Sequence, residues 1–186
     1  MRQVKAWTLG VVMLVLAGGR AEAGEAGPYS DELLDKIART SFAEKDRVRG
    51  KKMLREYNRL AQAMVQYEKR GPELMQQYQA LMARMESMQE TQNAAFLVAW
   101  CAKVRRLLPA IQKLGSDKVS TMVALRSKRL ELNRLDVPPA SWSRFYPPIE
   151  IETLDQMIQD TRAKLGAVKG QTRELERLCS DFEDQF

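Results

Sequence analysis

Apolar residues recur at helical spacing along most of the chain, and the most regular run lies near the C-terminus. After residue 150 they alternate by three and four positions for ten consecutive steps. The members are Ile151, Leu154, Ile158, Thr161, Leu165, Val168, Thr172, Leu175, Cys179, Phe182 and Phe186. This seam predicts a long helix in a coiled coil. No segment alternates as a strand would, so we predict an all-α protein.

Two further helices are expected in the first part of the chain. Ser30 is a suitable N-cap for the first, and the acidic residues that follow it favour the helix dipole. A second apolar run covers residues 54–65. We expect its helix to end at Gly71-Pro72, because glycine commonly closes a helix and proline commonly opens the next.

The middle of the chain carries a heptad seam that predicts a third helix over residues 72–108. The seam consists of Leu74, Tyr78, Leu81, Met85, Met88, Gln92 and Ala95. Near residue 95 its phase slips, which we interpret as a local change in supercoiling. Pro109 should end or kink this helix. Gly115-Ser116 should then open a fourth helix that ends near residue 135.

These elements predict an elongated antiparallel helical bundle or coiled coil of four to five helices. We expect a single domain over residues 24–186. The heptads leave open whether the seams are satisfied within one chain or by a homo-oligomer.

Residues 1–23 are typical of a cleaved signal peptide. Basic residues precede an apolar stretch over residues 6–17, and Ala21-Glu22-Ala23 places cleavage before Gly24. A membrane anchor is the alternative, but about 12 apolar residues are short against the ~20 that span a bilayer. We therefore predict a periplasmic or secreted protein with no membrane span after cleavage.

Two cysteines suit such a compartment. If the helices alternate in direction, the predicted third and fifth helices are parallel. Cys101 and Cys179 each lie 29 residues after the start of their helix, Pro72 and Glu150. We predict a disulfide between them, with free thiols or a bond between chains as alternatives.

Residues 137–149 form a predicted loop, since four prolines there exclude a helix interior. Its aromatic residues, Trp142, Phe145 and Tyr146, are candidate contacts for a partner protein. The alternative is that the three rings cover the end of the bundle.

A basic cluster is the second candidate contact surface. It comprises Lys45, Arg47, Arg49, Lys51, Lys52 and Arg55. Lys51, Lys52 and Arg55 are its candidate partner-binding residues. A solvated helix face is the simpler interpretation, and an anionic lipid or polymer surface is the alternative. Export makes nucleic acid a poor partner.

The charges are unevenly distributed. Residues 24–149 carry 22 basic and 14 acidic side chains, whereas residues 150–186 carry 5 and 9. Either an acidic last helix packs beside basic helices, or a basic face is left for an acidic partner.

Composition argues against most chemistry. The chain has no histidine, which excludes histidine-based catalytic and zinc sites. The run Met82, Met85 and Met88 resembles soft-metal ligands, but core filling is the simpler interpretation. We expect no enzyme, no metal and no cofactor.

The sequence favours an exported interaction or scaffold protein of the cell envelope, such as an accessory subunit of a secretion or conjugation apparatus. A periplasmic holdase chaperone, or a binder of anionic polymers or lipids, is the alternative.

Overall fold

The computed structural model describes residues 29–88, 94–135 and 151–184. Helix α1 covers Asp31–Ser41 and is followed by a 3-10 turn over Glu44–Asp46. Helices α2, α3 and α4 cover Arg47–Met88, Ala94–Leu135 and Ile151–Glu183. Within these ranges the regular structure is helical, which confirms the predicted all-α class.

Helix α1 begins as its sequence predicts. The Ser30 hydroxyl accepts a hydrogen bond from the backbone N–H of Leu33 at 3.3 Å, and Asp31 and Glu32 occupy the first turn. Leu34 and Ile37 are buried on one face. The cap satisfies an otherwise unpaired N–H, and the carboxylates favour the positive end of the helix dipole.

The predicted helix boundaries at Gly71-Pro72 and Pro109 are wrong, because both prolines lie inside long helices. Each proline is on an exposed face, where water can satisfy the carbonyl that loses its N–H partner. Core residues lie on both sides of each proline, for example Leu108 and Ile111 around Pro109. Their burial offsets a cost of about 3 kcal/mol for proline in a helix.

The predicted helix over residues 72–108 is also wrong. Helix α2 ends at Met88 and α3 begins at Ala94. The slip in the heptad phase near residue 95 therefore accompanies a change of helix. It is not a local change in the supercoil of one helix.

The chain divides into two compact units, and each of the three long helices contributes a segment to both. Unit 1 contains the described residues of Tyr67–Asp117 and Asp160–Phe186. Its core is formed by Met75, Tyr78, Met82, Trp100, Cys101, Val104, Leu107, Leu108, Ile111, Val168, Leu175 and Cys179.

Unit 2 contains the described residues of Gly19–Gln66 and Lys118–Gln159. Its core is formed by Leu34, Ile37, Ala38, Phe42, Met53, Leu54, Tyr57, Leu125 and Leu132. Gly50 lies within α2, where a Cβ atom would overlap the ring of Phe42. This glycine allows the residue that follows α1 to pack against the start of α2.

The seam predicted for the last helix is confirmed over the described residues. Eight consecutive members, from Leu154 to Cys179, are buried, and Ile151 and Phe182 at its ends are half-buried. Thr172 is a polar member whose hydroxyl is satisfied. It donates to the carbonyl of Val168 at 2.9 Å and accepts from Gln112 Nε2 at 2.7 Å. The seam thus includes a polar position without leaving that hydroxyl unpaired.

Candidate functional site

The two cysteines lie at disulfide distance in the core of unit 1. Their sulfur atoms are 2.18 Å apart, their Cα atoms are 5.6 Å apart, and both residues are fully buried. The predicted pair is therefore present, but the parallel arrangement behind it is wrong. Gln112 contacts Thr172 and Gly115 faces Leu165, so α3 and α4 run in opposite directions.

Two members of the basic cluster, Lys51 and Arg55, have a structural role in unit 2. Lys51 forms an ion pair with Asp35 at 2.6 Å, and Arg55 binds both carboxylate oxygens of Asp31, at 3.0 and 2.7 Å. The hydrogen bond from each cation lowers the pKa of its carboxyl group. These pairs join α1 to α2. Lys52 is exposed.

The predicted contact residues Trp142, Phe145 and Tyr146 lie outside the described residues. Two of the three methionines that resemble soft-metal ligands belong to the apolar interior of unit 1. Met82 is buried in its core and Met85 packs partly buried against that core. Their placement agrees with core filling.

A groove between α2 and α3 is the most distinctive surface feature of unit 1. It has a volume of about 450 Å³. Its lining, which defines the α2–α3 groove, is Leu74, Gln77, Ala80, Leu81 and Arg84 from α2 with Lys103, Arg106, Leu107 and Ala110 from α3. A second volume of about 320 Å³ adjoins it, sharing Leu74 and Ala110, and extends it to Tyr67 and Asp117.

The floor of the groove arises because α2 carries two apolar stripes. Tyr78 and Met82 face the core of unit 1 and are buried. Leu74 and Leu81 are half-buried, and they pack against the same core while also lining the groove. Trp100 of α3 is buried, and its indole N–H donates to the backbone carbonyl of Leu81 at 2.8 Å. This bond holds the two helices together beside the groove.

The α3 side of the first volume is cationic, whereas the adjoining volume is lined by the acidic Glu73 and Asp117 as well as by Arg70 and Lys113. No Asp or Glu occurs between residues 91 and 116, while four Lys or Arg residues do. Arg105 is directed toward α4, where it binds Glu183 through two hydrogen bonds. Lys113 pairs with Asp117 at 2.7 Å, and this hydrogen bond raises the pKa of Lys113. Lys103 and Arg106 form no ion pair with any described residue.

This lining suits binding better than bond breaking. Leucine and alanine side chains offer apolar contact, and the cations at the edge offer charge-assisted hydrogen bonds. In the part of the chain that the structure describes, no cluster of His, Cys, Asp or Glu is arranged to hold a metal ion. None of the described helices is long and apolar enough to cross a membrane.

Sequence reasoning missed the groove because Leu74 and Leu81 were assigned to the core seam alone, whereas they pack against the core and also line the groove. Two signals pointed to it. Apolar residues occur side by side at 74–75 and 81–82, which gives α2 two stripes, and residues 91–116 lack acidic side chains.

Comparison with known proteins adds no identification, since no protein-family model, curated protein or solved structure matches the chain.

Proposed function

We propose that this protein is an exported coiled-coil scaffold of the cell envelope that binds other proteins and catalyses no reaction. The proposal includes an accessory role in a secretion or conjugation apparatus. The observation that carries it is the α2–α3 groove on the surface of unit 1, whose apolar lining is flanked by the cations Arg84, Lys103 and Arg106.

The composition of α3 supports a role in binding. A helix that packs on one side only normally carries polar residues on its other face. Residues 94–102 of α3 contain no charged side chain, and Val98 is 46% exposed. Exposed apolar surface beside a groove is typical of protein contact sites.

Export is supported by the features of residues 1–23 and by the cysteine pair. Disulfides persist in oxidising compartments and are rare in the cytosol. Cys101 and Cys179 are placed for such a bond in the core of unit 1. Within the basic cluster, Lys51 and Arg55 already pair with carboxylates of α1, which favours the scaffold over the binding of anionic polymers by these two side chains.

In-cell photocrosslinking tests the proposal. A photoreactive residue replaces Gln77 in the groove, and a matched control replaces Arg162 on the exposed face of α4 in the same unit. In its native host, the protein should fractionate with the envelope. The Gln77 variant should give one or two discrete crosslinked products that the Arg162 variant does not give.

Three results would contradict the proposal. Crosslinks to many unrelated proteins would indicate a holdase chaperone. Recovery of the uncleaved chain in the cytosol would exclude export. An envelope-located protein that gives no groove-specific product would exclude the groove as its binding surface.

A further inference from the structure

We infer that the α2–α3 groove receives an amphipathic helix of another protein, with acidic residues along the edge that faces α3. This inference rests on the proposed function and names the chemistry of the partner. Three observations carry it, namely the length of the groove, its apolar floor and the charge of its edge.

The dimensions of the groove fit a helix. Its two parts extend along α2 from Tyr67 to Arg84, which is roughly 25 Å at 1.5 Å per residue. Leu74 and Leu81 are seven residues apart on α2, and Leu107 faces them from α3. A helix with leucine-like residues at i, i+3 or i+4, and i+7 would place its apolar stripe on this floor.

The positive charge at the α3 edge of the groove favours a partner with acidic side chains. Lys103 and Arg106 lie one helical turn apart on α3, and no described carboxylate pairs with either. Glu or Asp residues at the same spacing on a partner helix would meet both cations. A basic partner would be repelled at this part of the edge, because residues 94–116 of α3 carry only positive charge.

A second copy of this chain offers no matching surface among its described helices. Helices α1 and α4 are the acidic ones, and the apolar stripe of α4 is already buried, from Leu154 to Cys179. The apolar stripe of α1 is buried in unit 2, where it includes Leu34 and Ile37. A flat bilayer surface would not enter a concave channel between two helices. The observations therefore favour a helix from a different protein.

Fluorescence anisotropy with a designed probe tests the inference on the processed, oxidised protein. The probe is a labelled helical peptide of about 20 residues, ~30 Å long, with a leucine stripe flanked by glutamates. Two control peptides keep its length. One replaces every glutamate with lysine, and the other scrambles the order so that no apolar stripe forms. The acidic amphipathic probe should bind, and neither control should.

Matched protein variants locate the binding. The double variant Lys103→Glu, Arg106→Glu reverses the charge of the groove edge. The double variant Arg162→Glu, Lys169→Glu makes the same change on the exposed face of α4 in unit 1. The first should weaken probe binding by about tenfold or more, whereas the second should change it by less than about threefold. Circular dichroism verifies that both variants remain folded.

Several outcomes would overturn the inference. Equal binding of the glutamate and lysine peptides, or an equal loss of probe binding in the two double variants, would mean that the charge of the groove edge does not determine which partner binds. A dimer of the protein alone that dissociates on Lys103→Glu, Arg106→Glu would make a second copy the occupant. Failure of the probe together with groove-dependent binding to anionic lipid vesicles would make the surface a lipid site. Probe failure leaves the crosslinking test of the scaffold role intact, so the two proposals fail separately.

Discussion

Gly115 of α3 faces Leu165 of α4 so closely that a Cβ atom at position 115 would lie 2.5 Å from Leu165 Cδ2. Real Cβ atoms are not found this close to a neighbouring atom. The glycine therefore allows α3 and α4 to approach each other inside unit 1. It does not end a helix, as its position before Ser116 had suggested.

Because of this close approach, replacing a glycine with alanine should change the free energy of unfolding differently at different positions. Gly115→Ala should lower the free energy of unfolding by about 1–2 kcal/mol, since the strain of displacing Leu165 exceeds the gain in helix propensity. Gly166→Ala and Gly170→Ala on α4 are matched controls, because nothing lies within 4 Å of their added methyl groups. Each should raise the free energy of unfolding by about 0.5–1 kcal/mol. Urea denaturation measures all three, and equal effects would show that the close approach is absent.

The cysteine pair should contribute strongly to stability in its oxidised form. The bond would close a loop with a sequence separation of 78 residues. Loops of this size are worth about 4 kcal/mol in the chain-entropy model. The double variant Cys101→Ala, Cys179→Ala should therefore unfold at clearly lower urea concentration than the oxidised protein. Reduction of the wild type should give a similar loss, and reduction should not affect the variant. An unchanged midpoint after reduction would mean that no bond had formed.

Acid should weaken the attachment of α1 to α2. Hydrogen bonds from Arg55 and Lys51 hold the pKa values of Asp31 and Asp35 below the ordinary value of an aspartate. A carboxyl group with a lowered pKa stabilises the fold above its unfolded pKa, and that contribution is lost as the pH falls through the folded pKa. The free energy of unfolding should thus fall below about pH 4. Carboxyl NMR titration of Arg55→Gln should show the pKa of Asp31 returning toward its ordinary value. Arg49→Gln, an exposed neighbour on α2, is the control and should leave it unchanged.

Tyr78 should make the free energy of unfolding fall at alkaline pH. Burial raises the pKa of its phenol to about 12, and its hydroxyl has no hydrogen-bond partner among the described residues. A raised pKa contributes stability in full below the unfolded value of about 10, and this is lost as the pH rises toward the folded value. Tyr78→Phe should remove that alkaline loss. Near neutral pH it should leave the stability equal or raise it by up to about 1 kcal/mol, since a buried unpaired hydroxyl is removed. A marked loss of stability in this variant at pH 7 would show that the hydroxyl has a partner.

Periodicity predicted the elements that pack on one side only. The stripe of α4 from Leu154 to Cys179 is buried as expected, because a helix that packs on one side buries residues that alternate by three and four positions. The Ser30 cap was also predicted, since it depends on neighbouring residues alone. The continuation of α2 through Pro72 and of α3 through Pro109 was not predicted. It occurs because the burial of distant residues outweighs the local cost of a proline.

The groove required three-dimensional information. The pattern that includes Leu74, Tyr78 and Leu81 reads as one seam, yet only Tyr78 of these three is fully buried. A helix with apolar residues over a wide arc can face a core with one side and a groove with the other, and its spacing does not separate the two. The pairing of Cys101 with Cys179 was predicted from a helix arrangement that the structure corrects. The predicted pairing therefore matches the structure because the chain has only two cysteines, more than because the predicted helix geometry was right.

The most direct test of the account is the intact mass of the protein isolated from the envelope of its native host, before and after reduction. We predict the mass of residues 24–186, lower by two hydrogens before reduction because Cys101 and Cys179 are joined. That result would establish export, processing and the oxidised core together. A mass of the full chain with two free thiols would contradict export and remove the basis for a scaffold of the envelope.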